Sequence, residues 1–130
     1  MERPTITIVT PVYNEEDSLE AYEREVSEIL FAREDYDFRV LLVDDGSADS
    51  SWSMIEKLAR RDKRFSGIRL SRNYGSHIAL SAGFSMARGD AVAVLSCDLQ
   101  DPPATVLEFL DRWRAGAKIV WGRRALRGES

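Results

Sequence analysis

Acidic and amide side chains stand shortly after two of the apolar runs in this sequence. The segment Asp-Asp-Gly-Ser at 44–47 follows the apolar run 40–43, and Asp-Leu-Gln-Asp-Pro-Pro at 98–103 follows the run 91–95. Carboxylate oxygens are the ligands that Mg²⁺ and Mn²⁺ favour, and these ions often share the phosphates of a substrate. The pattern therefore favours a site for an anionic ligand that a hard divalent cation bridges.

Each of these motifs also has a purely structural interpretation. Segment 44–47 could form only a turn and a helix N-cap, or one of its carboxylates could accept hydrogen bonds from a base or a ribose. Asp98 and Asp101 could only cap the next helix, but two acids after a buried strand, with Gln100 between them, suit a metal better. Tyr13 could be a packed ring or could stack on a base. The joint pattern, rather than any single motif, favours a binding site.

The basic and nucleophilic residues also allow both a structural and a functional interpretation when each is considered alone. Arg123 and Arg124 could be solvated at the exit of a strand, or they could neutralise a diphosphate. His77 is the only histidine; it could act as a general base, but a surface position at the start of a helix is favoured. Cys97 is interpreted as a small buried residue. None of the four assigns a function alone.

Apolar runs alternate along the chain with stretches of helical spacing. Asn14 is the expected N-cap of the first helix. Strands and helices in regular alternation predict a mostly parallel sheet with helices on both faces, and ligands bind outside the carboxyl ends of such strands. The motifs above would therefore meet at one edge of the sheet. The predicted strands are 6–12, 40–43, 67–70, 91–95 and 118–121, and the predicted helices are about 16–31, 50–61, 76–87 and 102–116.

Size and composition are those of one soluble domain. The chain has 130 residues, of which 44% are hydrophobic and 31% charged. A formal net charge of -4 argues against a general nucleic-acid-binding surface. The single cysteine precludes an intrachain disulfide, and the longest apolar run, Ala91–Leu95, is too short to cross a bilayer. We therefore expect a cytoplasmic protein.

Taken together, the motifs resemble those of the family 2 glycosyltransferases with the GT-A fold. The resemblance is carried by Thr-Pro-Val-Tyr-Asn-Glu-Glu at 10–16, Val-Asp-Asp-Gly-Ser at 43–47 and the segment 98–103, with support from 70–75 and 122–127. Within the family these motifs are most similar to those of the polyprenyl-phosphate sugar transferases. The resemblance implies a Rossmann-like three-layer sandwich around a mostly parallel central sheet. It also implies that residues 1–130 are a single nucleotide-sugar-binding domain, truncated at its C-terminal end.

The resemblance implies a role for each matching residue. Asp98 would bind the Mg²⁺ or Mn²⁺ that bridges the diphosphate, Gln100 would reach the sugar, and Arg124 would contact the diphosphate. The family often has an acid at the position of Ser96, so Asp101 or water would compensate for one missing carboxylate. The pocket for the nucleotide sugar would be formed by Pro11, Tyr13, Glu15, Val43, Asp44, Asp45, Arg72 and Asn73.

The activity implied is inverting transfer of a sugar from a UDP- or GDP-sugar to an acceptor, with a polyprenyl phosphate as the family-based choice. The full-length parent would then lie at the cytoplasmic face of the membrane. An alternative is a fragment that binds the nucleotide sugar without turnover. A receiver-like signalling domain is disfavoured because the acids follow strands two and four. A nicotinamide dehydrogenase is disfavoured because no Gly-x-Gly-x-x-Gly follows the first strand.

Overall fold

The computed structural model describes residues 3–116, which form alternating strands and helices. The alternation agrees with the sequence-based prediction, whereas the predicted strand at 118–121 and the residues Arg123 and Arg124 lie outside the described part of the chain. The strands are β1 (Thr5–Val12), β2 (Asp37–Asp44), β3 (Phe65–Arg69) and β4 (Ala91–Val94), and the helices are α1 (Leu19–Ile29), α2 (Ser51–Arg61), α3 (Ser76–Met86) and α4 (Ala104–Arg114).

The four strands form one parallel sheet in the order β3-β2-β1-β4. β1 is central: it pairs with β2 along its whole length, from Thr5 opposite Asp37 to Val12 opposite Asp44, and with β4 on its other side. The chain moves outward from β1 to β3 and then returns to the opposite side of β1. The direction therefore switches between β1 and β4, and a crevice opens at the carboxyl ends of strands at such a point.

Helices cover the sheet on both faces, so the structure has three layers. Side chains alternate along each strand, and the two sets enter different clusters. On one face α3 packs alone among the described helices, through the small residues Ala79 and Gly83 against Val9 and Val43. The other face packs against α1, α2 and α4, in a cluster that includes Ile6, Ile8, Leu42, Tyr22, Ile55 and Val106.

One predicted helix boundary is wrong. Asn14 is not the N-cap of the first helix, because α1 begins at Leu19 with Ser18 at the N-cap. Asn14 instead has a left-handed backbone, with φ of 51°, and its side-chain oxygen accepts a hydrogen bond from the backbone N–H of Ala48. The side chain is therefore used between loops rather than within its own helix.

Candidate functional site

A cleft of about 520 Å³ opens at the carboxyl edge of the sheet, where the strand order switches. Its volume falls in the range of small-molecule sites, roughly 300–1,000 Å³. Four loops form it: those after β1, β2 and β4, and the one that leads into α3. The residues that line it are Pro11, Val12, Tyr13, Glu15, Asp45, Asn73, Gly75, Ser76, Ser96, Cys97, Asp98 and Gln100.

The loop after β1 brings an aromatic ring and a carboxylate to the cleft. Tyr13 lines the cleft and is 47% exposed, so its side chain is accessible to a planar ligand such as a base. Burial raises the pKa of Glu15; a hydrogen bond with Ser18 works against this rise, and the negative charges of Asp98 and Asp49 add to it. Glu15 and Asp98 both line the cleft, where a cation would relieve the repulsion between their carboxylates.

The loop after β2 organises the opposite wall through Asp45, which is 3% exposed. Its two carboxylate oxygens accept hydrogen bonds from the backbone N–H groups of Tyr74, at 2.8 Å, and Gly75, at 3.0 Å. Gly46, with φ of 74°, packs so tightly beneath this segment that a Cβ would lie 2.4 Å from the carbonyl carbon of Arg72. Segment 71–75 is thus held against the end of β2, which places Asn73 and Gly75 in the cleft wall.

The loop after β4 holds the carboxylate of Asp98 in one orientation. Ser96 donates a 2.6 Å hydrogen bond from its hydroxyl to Oδ1. Gln100 donates a 2.9 Å bond from its side-chain amide to Oδ2 and a 3.2 Å bond from its backbone N–H to Oδ1. Leu99 between them has a left-handed backbone, with φ of 59°, and this sharp turn lets residues on both sides reach the same carboxylate.

These residues fit a cation that is shared with a bound ligand better than one held by protein alone. Residues 3–116 contain no group of three or more His, Cys, Asp or Glu side chains that could enclose a metal. Asp98 and Glu15 both line the cleft, and Mg²⁺ is commonly held by one or two carboxylates together with substrate phosphates. Asp101 does not line the cleft.

The structure brings most, but not all, of the sequence-predicted site residues together. Four described candidates do not line the cleft: Val43, Asp44, Arg72 and Asp101. Asp44 is fully buried and accepts a 3.1 Å hydrogen bond from the backbone N–H of Ser47, and Arg72 lies over the ring of Tyr74 at 4.5 Å. Arg124 lies outside the described residues. The candidates that do line the cleft are Pro11, Tyr13, Glu15, Asp45, Asn73, Asp98 and Gln100.

Sequence reasoning assigned no site role to several residues that line the cleft, among them Val12, Gly75, Ser76 and Cys97. Gly75 is the N-cap of α3 and Ser76 its first residue, and their position in the connection from a strand to a helix was the available signal. Cys97 is buried, as predicted, and burial raises the pKa of its thiol to about 12. The thiol is therefore protonated at neutral pH and contributes shape rather than a nucleophile.

The parallel sheet and the acidic cleft at its switch point define an α/β protein with a candidate ligand site at the carboxyl edge. The chain belongs to the glycosyl transferase family 2, whose family model matches residues 7–130. It is 40% identical over 127 residues to the undecaprenyl-phosphate 4-deoxy-4-formamido-L-arabinose transferase of Proteus mirabilis. That match covers 96% of this chain but only 38% of the relative.

Solved structures share the fold. The mannosyltransferase PcManGT from Pyrobaculum calidifontis, in complex with GDP-Man and Mn²⁺, superimposes with a TM-score of 0.73 at 23% identity, over 91% of this chain and 34% of that one. Staphylococcus aureus TarS 1-349, in complex with UDP, gives a TM-score of 0.66 at 21% identity, over 83% of this chain and 32% of that one. The family resemblance and the GT-A fold class predicted from the sequence are confirmed.

Proposed function

We propose that this chain forms the nucleotide-sugar-binding domain of a glycosyltransferase that moves a sugar, with inversion, from a UDP- or GDP-sugar to a polyprenyl phosphate. The observation that carries the proposal is the cleft, which places an open aromatic ring and an oriented carboxylate, Tyr13 and Asp98, at the switch point of the sheet. The proposed ligand class accords with the structural neighbours, which were solved in complex with GDP-Man and with UDP.

Several residues in and near the cleft have distinct proposed tasks. Tyr13 stacks on the base, and Asp45, whose oxygens can each accept a second hydrogen bond, accepts from the base or ribose. Asp98 would hold a divalent cation, Mg²⁺ or Mn²⁺, with Glu15 or Asp101 as the second carboxylate. When bound, this cation would stabilise the charge that develops on the departing nucleoside diphosphate.

Two further residues are assigned to the nucleotide sugar. Gln100 lines the cleft beside Asp98 and is proposed to reach the sugar. Arg124, outside the described residues, is proposed to contact the diphosphate, where a guanidinium can donate two parallel hydrogen bonds. Sugar transfer then breaks the bond from the anomeric carbon to the diphosphate oxygen and forms a bond from the opposite face to the acceptor oxygen.

A phosphate acceptor removes the need for a general base. The second pKa of a phosphate monoester is about 6, so the attacking oxygen is largely anionic at neutral pH. The proposed acceptor class accords with the name of the relative from Proteus mirabilis, an undecaprenyl-phosphate sugar transferase. The full-length protein would work at the cytoplasmic face of a membrane, where such a lipid is reached; no helix within residues 3–116 could itself span one.

A second candidate is a domain that binds the nucleotide sugar without turnover by itself. It is favoured by the length of the match, since the chain spans only 38% of the relative from Proteus mirabilis. Hydrolysis of the nucleotide sugar, or glycosylation of a polyprenyl phosphate by the 130-residue chain, would decide for catalysis. Binding without either reaction would decide for the binding domain.

Calorimetric titration with UDP and with GDP, each with and without Mn²⁺, tests the proposed site. We expect Mn²⁺-dependent binding of one nucleotide, and a loss of at least tenfold in Asp98→Ala, because even residues that only orient metal ligands contribute about 10–100-fold. Asp101→Ala shows whether Asp101 contributes. The matched control is Asp111→Ala, an exposed carboxylate of α4 that does not line the cleft. Wild-type affinity in Asp98→Ala would refute the assignment.

A further inference from the structure

We infer that Asn14 is a positioning residue for nucleotide-sugar binding, which fixes the loop after β1 to the loop after β2 and so holds Tyr13 and Glu15 in the cleft. The inference rests on the proposed function, which gives those two neighbours their roles. Asn14 does not line the cleft itself, whereas the residues immediately before and after it do. It would therefore act through them.

Both the backbone and the side chain of Asn14 form hydrogen bonds with the loop after β2. Its backbone N–H donates a 2.9 Å hydrogen bond to the hydroxyl of Ser47. Its Oδ1 accepts hydrogen bonds from the backbone N–H groups of Ala48, at 2.8 Å, and Asp49, at 3.4 Å. A single side chain thus satisfies two backbone donors that precede α2 and would otherwise need other partners.

The two residues after Asn14 also form hydrogen bonds with the segment that leads into α2, and each segment supplies donors to the other. The backbone N–H groups of Glu15 and Glu16 donate to the Ser51 hydroxyl, at 2.8 Å, and to Asp49 Oδ2, at 3.2 Å. In return, Ser50 donates its backbone N–H to Glu16 Oε1 at 2.9 Å. We call residues 14–16 and 47–51 the interloop clasp. It joins the first cleft loop to the start of α2, which the hydrophobic core holds in place through Ile55.

Asparagine suits this position for two reasons that can be separated by substitution. Its φ of 51° lies in the left-handed region, which asparagine, aspartate and glycine adopt more readily than other residues. Its Oδ1 supplies the acceptor of the clasp. Asn14→Gly keeps the backbone conformation and removes the acceptor, and Asn14→Asp keeps both.

Nucleotide titration of these two variants, combined with hydrogen exchange, tests the inference. With Mn²⁺ at moderate salt, we expect Asn14→Gly to bind UDP or GDP about tenfold more weakly than the wild type, the effect of one lost hydrogen-bond network on a loop. The backbone N–H of Ala48 should lose its protection from exchange. Asn14→Asp should restore that protection and bind more tightly than Asn14→Gly.

Asp62→Ala is the matched control. Asp62 also accepts a hydrogen bond from a backbone N–H, that of Arg64, but it follows α2 at the opposite edge of the sheet from the cleft. Its loss should leave nucleotide affinity unchanged. Wild-type affinity in Asn14→Gly, or no recovery of affinity in Asn14→Asp, would overturn the inference about Asn14 and leave the proposed function standing. A wild-type chain that binds neither nucleotide would instead overturn the proposed function on which the inference rests.

Discussion

Two buried hydroxyl groups lie directly beneath the cleft, Thr10 in β1 and Tyr22 in α1. Both residues are fully buried, and their oxygens are 2.5 Å apart, so one hydroxyl donates a hydrogen bond to the other. Burial raises the pKa of Tyr22 well above its usual value, which keeps the phenol protonated. Thr10 immediately precedes Pro11, the first residue of the cleft lining. This hydrogen bond therefore ties α1 to the strand that carries the first cleft loop.

Tyr22→Phe should destabilise the protein by about 1–3 kcal/mol, because the hydroxyl of Thr10 would be left buried without a partner. The double variant Thr10→Val with Tyr22→Phe removes both hydroxyls and should recover much of that loss, since replacing both partners by apolar groups is nearly neutral. Urea unfolding of the two single variants and the double variant measures the coupling. Strictly additive losses would show that the hydrogen bond contributes nothing of its own.

The sequence predicted the residue types of the site better than their contacts. Asp45 was predicted to bind the nucleotide, and it does line the cleft, but both of its oxygens also accept hydrogen bonds from Tyr74 and Gly75. These partners lie 29 and 30 residues further along the chain, beyond the reach of any local pattern. The Ser96 hydroxyl contacts Asp98 only two residues away, but the sequence analysis treated Ser96 as a missing carboxylate and did not predict this hydrogen bond.

Helix α3 packs closely on the sheet at Gly83, and its first residues lie at the cleft. A Cβ on Gly83 would lie 2.5 Å from Cγ1 of Val9 and 3.1 Å from Cγ2 of Val43. Both valines are fully buried and β-branched, so neither can turn away easily. The glycine therefore sets the distance between α3 and the sheet, and with it the position of Ser76 in the cleft wall.

Gly83→Ala should destabilise the fold, although alanine is the better helix former. The gain in helix propensity is about 1 kcal/mol, whereas an added methyl group in a tightly packed core typically costs about 1–3 kcal/mol. Ser81→Ala, at an exposed position of the same helix, should be neutral or slightly stabilising. Thermal unfolding compares the two variants. A higher melting temperature for Gly83→Ala would show that α3 can move outward without loss.

Hydrophobic patterning predicted the helices and strands more reliably than their ends. β2 begins at Asp37 rather than at 40, because its first residues pair with β1 from Thr5 onward, although Asp37 and Arg39 interrupt the apolar pattern. The start of α1 was misplaced because Asn14 is a good N-cap by type, but its side chain bonds across to Ala48. In both places a contact between segments distant in the sequence sets where the element begins, and local propensity could not predict it.

The cleft depends on the whole sheet, because its four loops leave elements on both sides of β1. The loops after β1 and β4 meet across the switch point, while the segment before α3 is held to the end of β2 by Asp45. β1 and β2 are almost entirely buried along their length, so the frame beneath these loops is rigid. A ligand that contacts all four loops should therefore stabilise the fold as a unit.

Bound nucleotide should raise the melting temperature of the chain only when the cation is present. A ligand at 100 times its Kd adds about 2.7 kcal/mol of stability when it binds only the native state, which corresponds to on the order of 10 °C for a chain of this size. Thermal scans with UDP or GDP and Mn²⁺ measure the shift, and EDTA should abolish it. At the same ligand concentrations Asp98→Ala should show little shift, whereas Asp111→Ala should match the wild type. An equal shift in EDTA would mean that the nucleotide binds without a cation, and would contradict the cation-binding role proposed for Asp98.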